Sequence, residues 1–238
     1  MKAVPWHVRR NQRGEALKYT AMTDRLYRYA SLCRSGADDA LLEKLRAETG
    51  QKFPADAPMQ IARDQGTLMT LLVAAIGARS AIEVGSFTGY SAICIARGLP
   101  AKGKLLCLDQ SAEWTNLAQK YWAKAGVKNK IELRLGPALD SLKKLEAKWK
   151  FDFAFIDANK TGYDDYYELI LPRMRPNGLI LFDNMLWGGR LGRPVAHPDG
   201  KAIDVLNRKL ARDPRVESVL LPISDGVNIC RVRGYSPE

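Results

Sequence analysis

The stretch FDFAFIDANKTGYDDYYELILPRMRPNGLILFDN, residues 151–184, decides the fold. Apolar runs at 151–156 and 179–182 each stop at an aspartate, and a segment of helical pattern joins them, which reads as a βαβ unit with parallel strands. Neighbouring parallel strands end side by side, and open α/β sheets place their ligands at that edge. Asp157 and Asp183 are therefore expected together at one rim. Asn184 adds a neutral oxygen, and such an all-oxygen set suits a hard divalent cation such as Mg²⁺ better than zinc. Lys160 reaches the same rim if the chain has turned toward its helix, and a lysine of lowered pKa can act there as a base. The plainer alternative is that the aspartates only cap the helices that follow.

Working outward, a strand at 80–84 runs into the turn GSFTGYS (85–91) and a helix at 92–98. Strand, glycine turn and helix form a nucleotide-binding arrangement, in which Gly85 and Gly89 permit close backbone approach and the helix start offers free N–H groups. The strand at 104–108 ends at Asp109, where an acid can hold two ribose hydroxyls. A helix from Ser111 to about Lys124 closes at Gly126, a strand follows at 131–135, and Gly136, Pro137 and Ala138 start another helix. Beyond residue 184 the pattern predicts a Gly/Pro loop at 187–200, a helix at 201–212, and strands at 216–222 and 227–232 joined by the turn Ser224-Asp225-Gly226. Upstream it predicts a helix from about 15 to 32, a second at 38–48 ended by Gly50, and a loop at 51–59. A helix opened by Asp64 is apolar nearly all round, so it is expected to be buried.

The sum is an α/β fold: a seven-stranded, mostly parallel, doubly wound Rossmann-like sheet with an antiparallel edge hairpin and N-terminal helices. One domain is expected over residues 1–238, with a helical extension at 1–58 that covers the site or builds a dimer contact, and a core at 59–238. The chain has 238 residues and 46% hydrophobic content, enough to bury a full core. No run approaches the roughly 20 apolar residues of a membrane span and no apolar leader opens the chain, so a cytoplasmic protein is expected. Cys33, Cys94, Cys107 and Cys230 form no CxxC pair and read as free thiols, three of them within apolar patterns. His7 and His197 stand apart in polar segments and read as surface residues. The net charge of +11 fits nucleic acid, anionic lipid or an acidic small substrate alike.

A glycine turn with a following acid fits a dinucleotide-dependent dehydrogenase as well as a nucleoside-binding transferase. The turn here lacks the GxGxxG spacing that lets a pyrophosphate approach. Glu83, just before it, would repel a diphosphate but can receive an amino acid's ammonium, and S-adenosylmethionine carries one.

At this point AIEVGSFTGYSAICIA, the Asp109 strand end, AGVKNKIELRLGPAL, FDFAFIDANKTGYDDYYE and LILFDNMLWGGR together resemble the cation-dependent class I O-methyltransferases of the caffeoyl-CoA and catechol O-methyltransferase group. The likeness covers about 59–187 and is weaker beyond. It implies the seven-stranded methyltransferase fold, S-adenosylmethionine as donor, a divalent cation (Mg²⁺, or another such as Mn²⁺ or Ca²⁺), a small hydroxylated acceptor and a homodimer. Carried over by position, Glu83, Gly85, Ser86, Ser91, Asp109, Ala138 and Asp157 are donor-binding residues, with Ile61 bordering the methionine end. Asp157, Asp183 and Asn184 are the metal ligands, Lys160 with Asp157 the catalytic pair, and Trp187 an acceptor wall. Two positions depart from the plant members: Asn159 replaces the second acid of IDADK, and Gly188 replaces an acceptor-contacting asparagine.

The expected reaction is methyl transfer to one of two vicinal hydroxyls, as in a catechol. Two rivals are an O-methyltransferase of a modified tRNA base, suggested by the positive charge, and a non-catalytic binding module that keeps the fold. Tyr163, Tyr166 and Tyr167 read equally as a helix face packed on the sheet.

Overall fold

The structure, a computed structural model, describes residues 9–10, 16–17 and 20–234, which fall into two units, residues 1–37 and 38–238. In the first unit, β1 (Arg9–Arg10) pairs antiparallel with β2 (Ala16–Leu17), and α1 spans Asp24–Leu32. The helix expected from residue 15 thus starts later. Thr23 accepts from Leu26 N and caps it, as a hydroxyl does at an N-cap. His7 lies outside the described residues.

The second unit opens with α2 (Ala40–Lys52), capped by the Asp39 carboxylate, which accepts from Leu41 N and Leu42 N. Gly50 does not end it. Thr49 is buried and its hydroxyl meets that of Thr88 at 3.0 Å, so packing carries the helix on to Lys52. Only a short connection containing the 3₁₀ turn Ala57–Met59 remains of the expected loop.

Seven strands form the sheet: β3 (Ser80–Val84), β4 (Lys104–Asp109), β5 (Ile131–Leu135), β6 (Phe151–Ile156), β7 (Met174–Phe182), β8 (Val216–Leu221) and β9 (Val227–Val232). Their spatial order is β5-β4-β3-β6-β7-β9-β8. The first five are parallel, while β9 is antiparallel to both β7 and β8. Strand β7 starts at Met174, earlier than its apolar run, because Phe151 pairs with Met174 before a bulge sets the register Phe153 to Leu179.

Side chains alternate across these strands, so each sheet face has its own core. One gathers Ala81, Phe153 and Phe155 with α2, α3 (Arg63–Ala75), α4 (Tyr90–Gly98) and α5 (Ala112–Lys124). The other gathers Ile82, Val84 and Ile156 with α6 (Ala138–Lys143), α7 (Tyr163–Ile170) and α8 (Pro198–Leu210). Helix α3 is not buried all round: Gln65, Gly66, Met69 and Val73 face inward, whereas Leu71 is 60% exposed. Helix α8 starts at Pro198 rather than 201, since His197 caps it through Nδ1 and proline is favoured in a first turn. Cys94, Cys107 and Cys230 are buried free thiols and Cys33 is exposed. Among the described residues no helix is long and apolar enough to cross a membrane.

Candidate active site

The register of β3, β6 and β7 brings Val84, Ile156 and Phe182 level. The residues that follow each strand therefore share one rim. There Asp157 N donates to Val84 O at 2.8 Å and Asp183 N to Ile156 O at 3.1 Å. Neither aspartate caps a helix. The turn after Asp157 has Asn159 at its cap position without a side-chain bond, and Asp183 Oδ1 accepts from Asn184 N at 2.7 Å. The rim borders a cleft of about 1080 Å³.

At the glycine turn, Gly85 has φ +89° and an added Cβ would stand 2.2 Å from Asp157 O. Only glycine lets the turn pass the neighbouring strand end this closely. Asp109 ties the turn down: Oδ2 accepts from Ser86 N and Phe87 N at 2.9 and 2.8 Å, and Oδ1 from Ser111 N at 2.8 Å. Its carboxylate therefore organises the loop as well as bordering the cleft. Ser91 stands in the first turn of α4 and Ala138 opens α6; with Ile61 all three line the same cleft.

Glu83 is placed differently. It is fully buried beneath the turn, level with Cys107 and Phe155, and is not among the residues lining the cleft. Its Oε2 accepts from Ser86 Oγ at 2.6 Å, while Oε1 has no partner. Burial pushes its carboxyl up to about 7. An unpaired buried acceptor is costly, and a donor group arriving through the turn would satisfy it.

At the opposite end, Lys160 Nζ donates to Asp157 Oδ1 at 2.9 Å and to Tyr163 Oη at 2.7 Å. Tyr163 in turn donates to Asp183 O at 3.3 Å. Burial, then the charges of Asp157 and Asp183, push the Tyr163 phenol well up. Asp183 is also pushed up, to about 7, by burial and by the Asp157 charge. Asn184 takes the left-handed conformation, φ +57°, which asparagine tolerates. Asp157, Asp183, Asn184 and Lys160 all line the cleft, as does Trp187. Trp187 stacks on His197 with ring centroids 5.4 Å apart, and His197 is otherwise exposed.

Several neighbours escaped the sequence reading. Gln65 hid in an apolar helical run; its one signal was a lone amide in that pattern. Tyr166 donates to Asn159 Oδ1 at 2.6 Å, so the amide that replaces a plant carboxylate has a partner of its own. Asp225 accepts from Gly188 N at 2.6 Å, tying the loop after Asn184 to the edge hairpin. The tyrosine face of α7 is both things at once: Tyr163 and Tyr167 pack on Phe182, and Tyr163 still reaches Lys160.

A five-strand parallel sheet with an antiparallel hairpin beside it, and a cleft that joins a glycine turn to an acidic rim, define a Rossmann-like methyltransferase fold. A model of the O-methyltransferase family matches residues 33–233, and the chain belongs to that family. Among its relatives, "Probable caffeoyl-CoA O-methyltransferase 2" of Dictyostelium discoideum is 42% identical over 171 residues, 70% of this chain and 74% of that protein. Caffeoyl-CoA O-methyltransferase of Petroselinum crispum is 34% identical over 225 residues, 90% of this chain and 93% of its own length. An O-methyltransferase from Bacillus cereus, solved in complex with SAH, superposes with a TM-score of 0.78 at 31% identity, covering 88% of this chain and 97% of that one.

Proposed function

We propose that the protein transfers a methyl group from S-adenosylmethionine to one hydroxyl of a small acceptor with vicinal hydroxyls, with a divalent cation held by Asp157, Asp183 and Asn184. The observation that carries this reading is the single cleft. One end is a glycine turn above the unpaired Glu83 Oε1; the other is a rim of oxygen donors with a lysine among them.

The donor set fits a hard cation. Among the described residues no three His, Cys, Asp or Glu side chains gather, so the set is two carboxylates completed by the Asn184 amide, and oxygen-only sets favour Mg²⁺-like ions. The upward push on Asp183 from the Asp157 charge is a repulsion that a cation would relieve. When bound, such an ion supplies Lewis acidity that lowers the pKa of an acceptor hydroxyl.

The donor supplies an electrophilic methyl on a sulfonium sulfur. The turn at Gly85 and Ser86 receives its amino-acid end above Glu83, and Asp109 and Ala138 face the nucleoside. Lys160, held in place by Asp157 and Tyr163, takes or stabilises the acceptor's hydroxyl proton, which passes to solvent. The acceptor oxygen then forms the new bond to carbon as the carbon–sulfur bond breaks, leaving a neutral thioether. No covalent intermediate with the protein is needed, so positioning supplies most of the rate.

The test is product formation from S-adenosylmethionine and Mg²⁺ with a panel of aromatic acceptors bearing one hydroxyl, two vicinal hydroxyls or two separated hydroxyls, read by mass. Methylation confined to the vicinal pair supports the reading; equal methylation of single hydroxyls removes the two-oxygen grip from it.

A further inference from the structure

Three residues that line the cleft, Ile61, Thr88 and Tyr90, come from separate stretches of chain: the connection before α3, the glycine turn and the start of α4. All three are buried, and one face of α2 reaches each of them. Leu42, Leu45, Arg46 and Thr49 recur at helical spacing and so share that face; Leu42, Leu45 and Thr49 are buried and Arg46 is half-buried. Arg46 Nη1 donates to Ile61 O at 2.7 Å, and its guanidinium lies 5.3 Å from the centroid of the Tyr90 ring, within reach of a cation–π attraction. One turn further along α2, the hydroxyls of Thr49 and Thr88 meet at 3.0 Å.

Packing alone does not ask for this arrangement. A leucine at position 46 would continue the apolar face, whereas an arginine there must be partly desolvated and its long side chain ordered. What the guanidinium reaches is a connection whose helical turns start without side-chain caps, both at Ala57–Met59 and at Arg63. The far end of that connection is fastened to the same helix, because Arg63 donates to both oxygens of Glu43 at 2.6 Å. Helix α2 thus braces the connection at two points and the glycine turn at a third.

We propose that Arg46 is a positioning residue for donor binding: by tying Ile61 to Tyr90 it keeps the donor end of the cleft preformed, so that binding S-adenosylmethionine carries no cost of ordering these walls. Helix α2, part of the extension expected to cover the site or build a dimer contact, then serves the site. This rests on the reading of the cleft as a donor site. The coupling is reciprocal, so a bound donor holds α2 in place in its turn.

The test is SAH binding by calorimetry to the full chain in the wild type, Arg46→Met and Arg46→Lys, with the ligand-free melting temperature and backbone hydrogen exchange measured alongside. Arg46→Met should weaken SAH by about tenfold, as loss of a charged hydrogen bond does, while the ligand-free melting temperature falls by about 4 °C or less. Arg46→Lys keeps one charged donor for Ile61 O and should bind SAH within about threefold of the wild type. In the wild type, SAH should slow exchange at residues 45–52 by about threefold or more beyond its effect on α8, which packs on the opposite sheet face. No SAH binding by the wild type would remove the donor reading itself. Wild-type SAH affinity in Arg46→Met would overturn the role of Arg46 alone. A larger fall in melting temperature with no recovery in Arg46→Lys would also overturn it, by assigning the residue to the scaffold. Should Arg46→Met not fold, exchange in the wild type decides: slowing at 45–52 no greater than in α8 overturns the proposal.

Discussion

Lys160 and Asp157 form an ion pair across one turn of chain, 2.9 Å between Nζ and Oδ1, with both side chains mostly buried. The pair links the residue assigned to the proton with a residue assigned to the cation. Lys160→Met should therefore lower turnover by about 10²- to 10⁴-fold, the usual worth of a positioned acid or base. SAH affinity, measured by calorimetry, should change little, because the hydrogen bonds of Nζ go to Asp157 and Tyr163 at the rim. Lys160→Arg should not restore turnover, since a guanidinium does not give up its proton.

Glu83 gives a pH dependence of defined sign. Its carboxyl is raised from the ordinary 4.5 to about 7 by burial, so between these values the folded, ligand-free protein holds a proton that the unfolded chain has released. On this account its contribution to stability is fully present below about 4.5 and is lost as pH rises through 7. Asp183 is raised in the same direction, so the comparison that isolates Glu83 is wild type against Glu83→Gln. Urea unfolding of the variant should fall less steeply with pH over this window. An ammonium-bearing ligand prefers the ionised form, so SAH affinity of the wild type should rise between pH 6 and 8, and that rise should be absent in Glu83→Gln.

Much of this arrangement was legible in the sequence, and the reason is physical. Phe153–Ile156 and the run before Asp183 are continuous apolar segments ending in acids, a pattern that fits a buried parallel sheet. The strand ends then follow from register. What stayed hidden was set by tertiary packing. Gly50 carries the signal of a helix end, yet α2 continues because Thr49 is anchored on Thr88. Leu71 is apolar but exposed, so composition alone overstated the burial of α3. Tyr163 also donates to Asp183 O, 20 residues further along the chain, and no local pattern announces such a partner.

Gly85 is the point where the two ends of the cleft touch. An alanine there would place a methyl 2.2 Å from Asp157 O at φ +89°. Strained backbone of this kind costs about 1–3 kcal/mol before any clash is counted. Gly85→Ala should lower the unfolding free energy measured in urea by at least that much and weaken SAH and Mn²⁺ binding together, because it pushes the turn away from the rim.

Trp187 holds a left-handed backbone, φ +50°, between His197 and Gly200, where a Cβ would lie 2.8 Å from its Cδ1. Placed as an acceptor wall, it should govern the acceptor and not the donor. Trp187→Ala is expected to raise the acceptor KM by about tenfold, the upper part of what an aromatic pair is worth, with SAH affinity unchanged. Gly200→Val should reproduce the effect by displacing the ring.

The central claim is that a cation held by Asp157, Asp183 and Asn184 is required for methyl transfer to a vicinal diol, while donor binding is separate from it. The most direct measurement is turnover of a catechol acceptor with S-adenosylmethionine, read by mass, in Mg²⁺, in excess chelator, and after Mg²⁺ is restored, with SAH binding followed in parallel. The account predicts that chelation abolishes turnover, that Mg²⁺ returns it, and that SAH binds throughout. Undiminished methylation in excess chelator would contradict it.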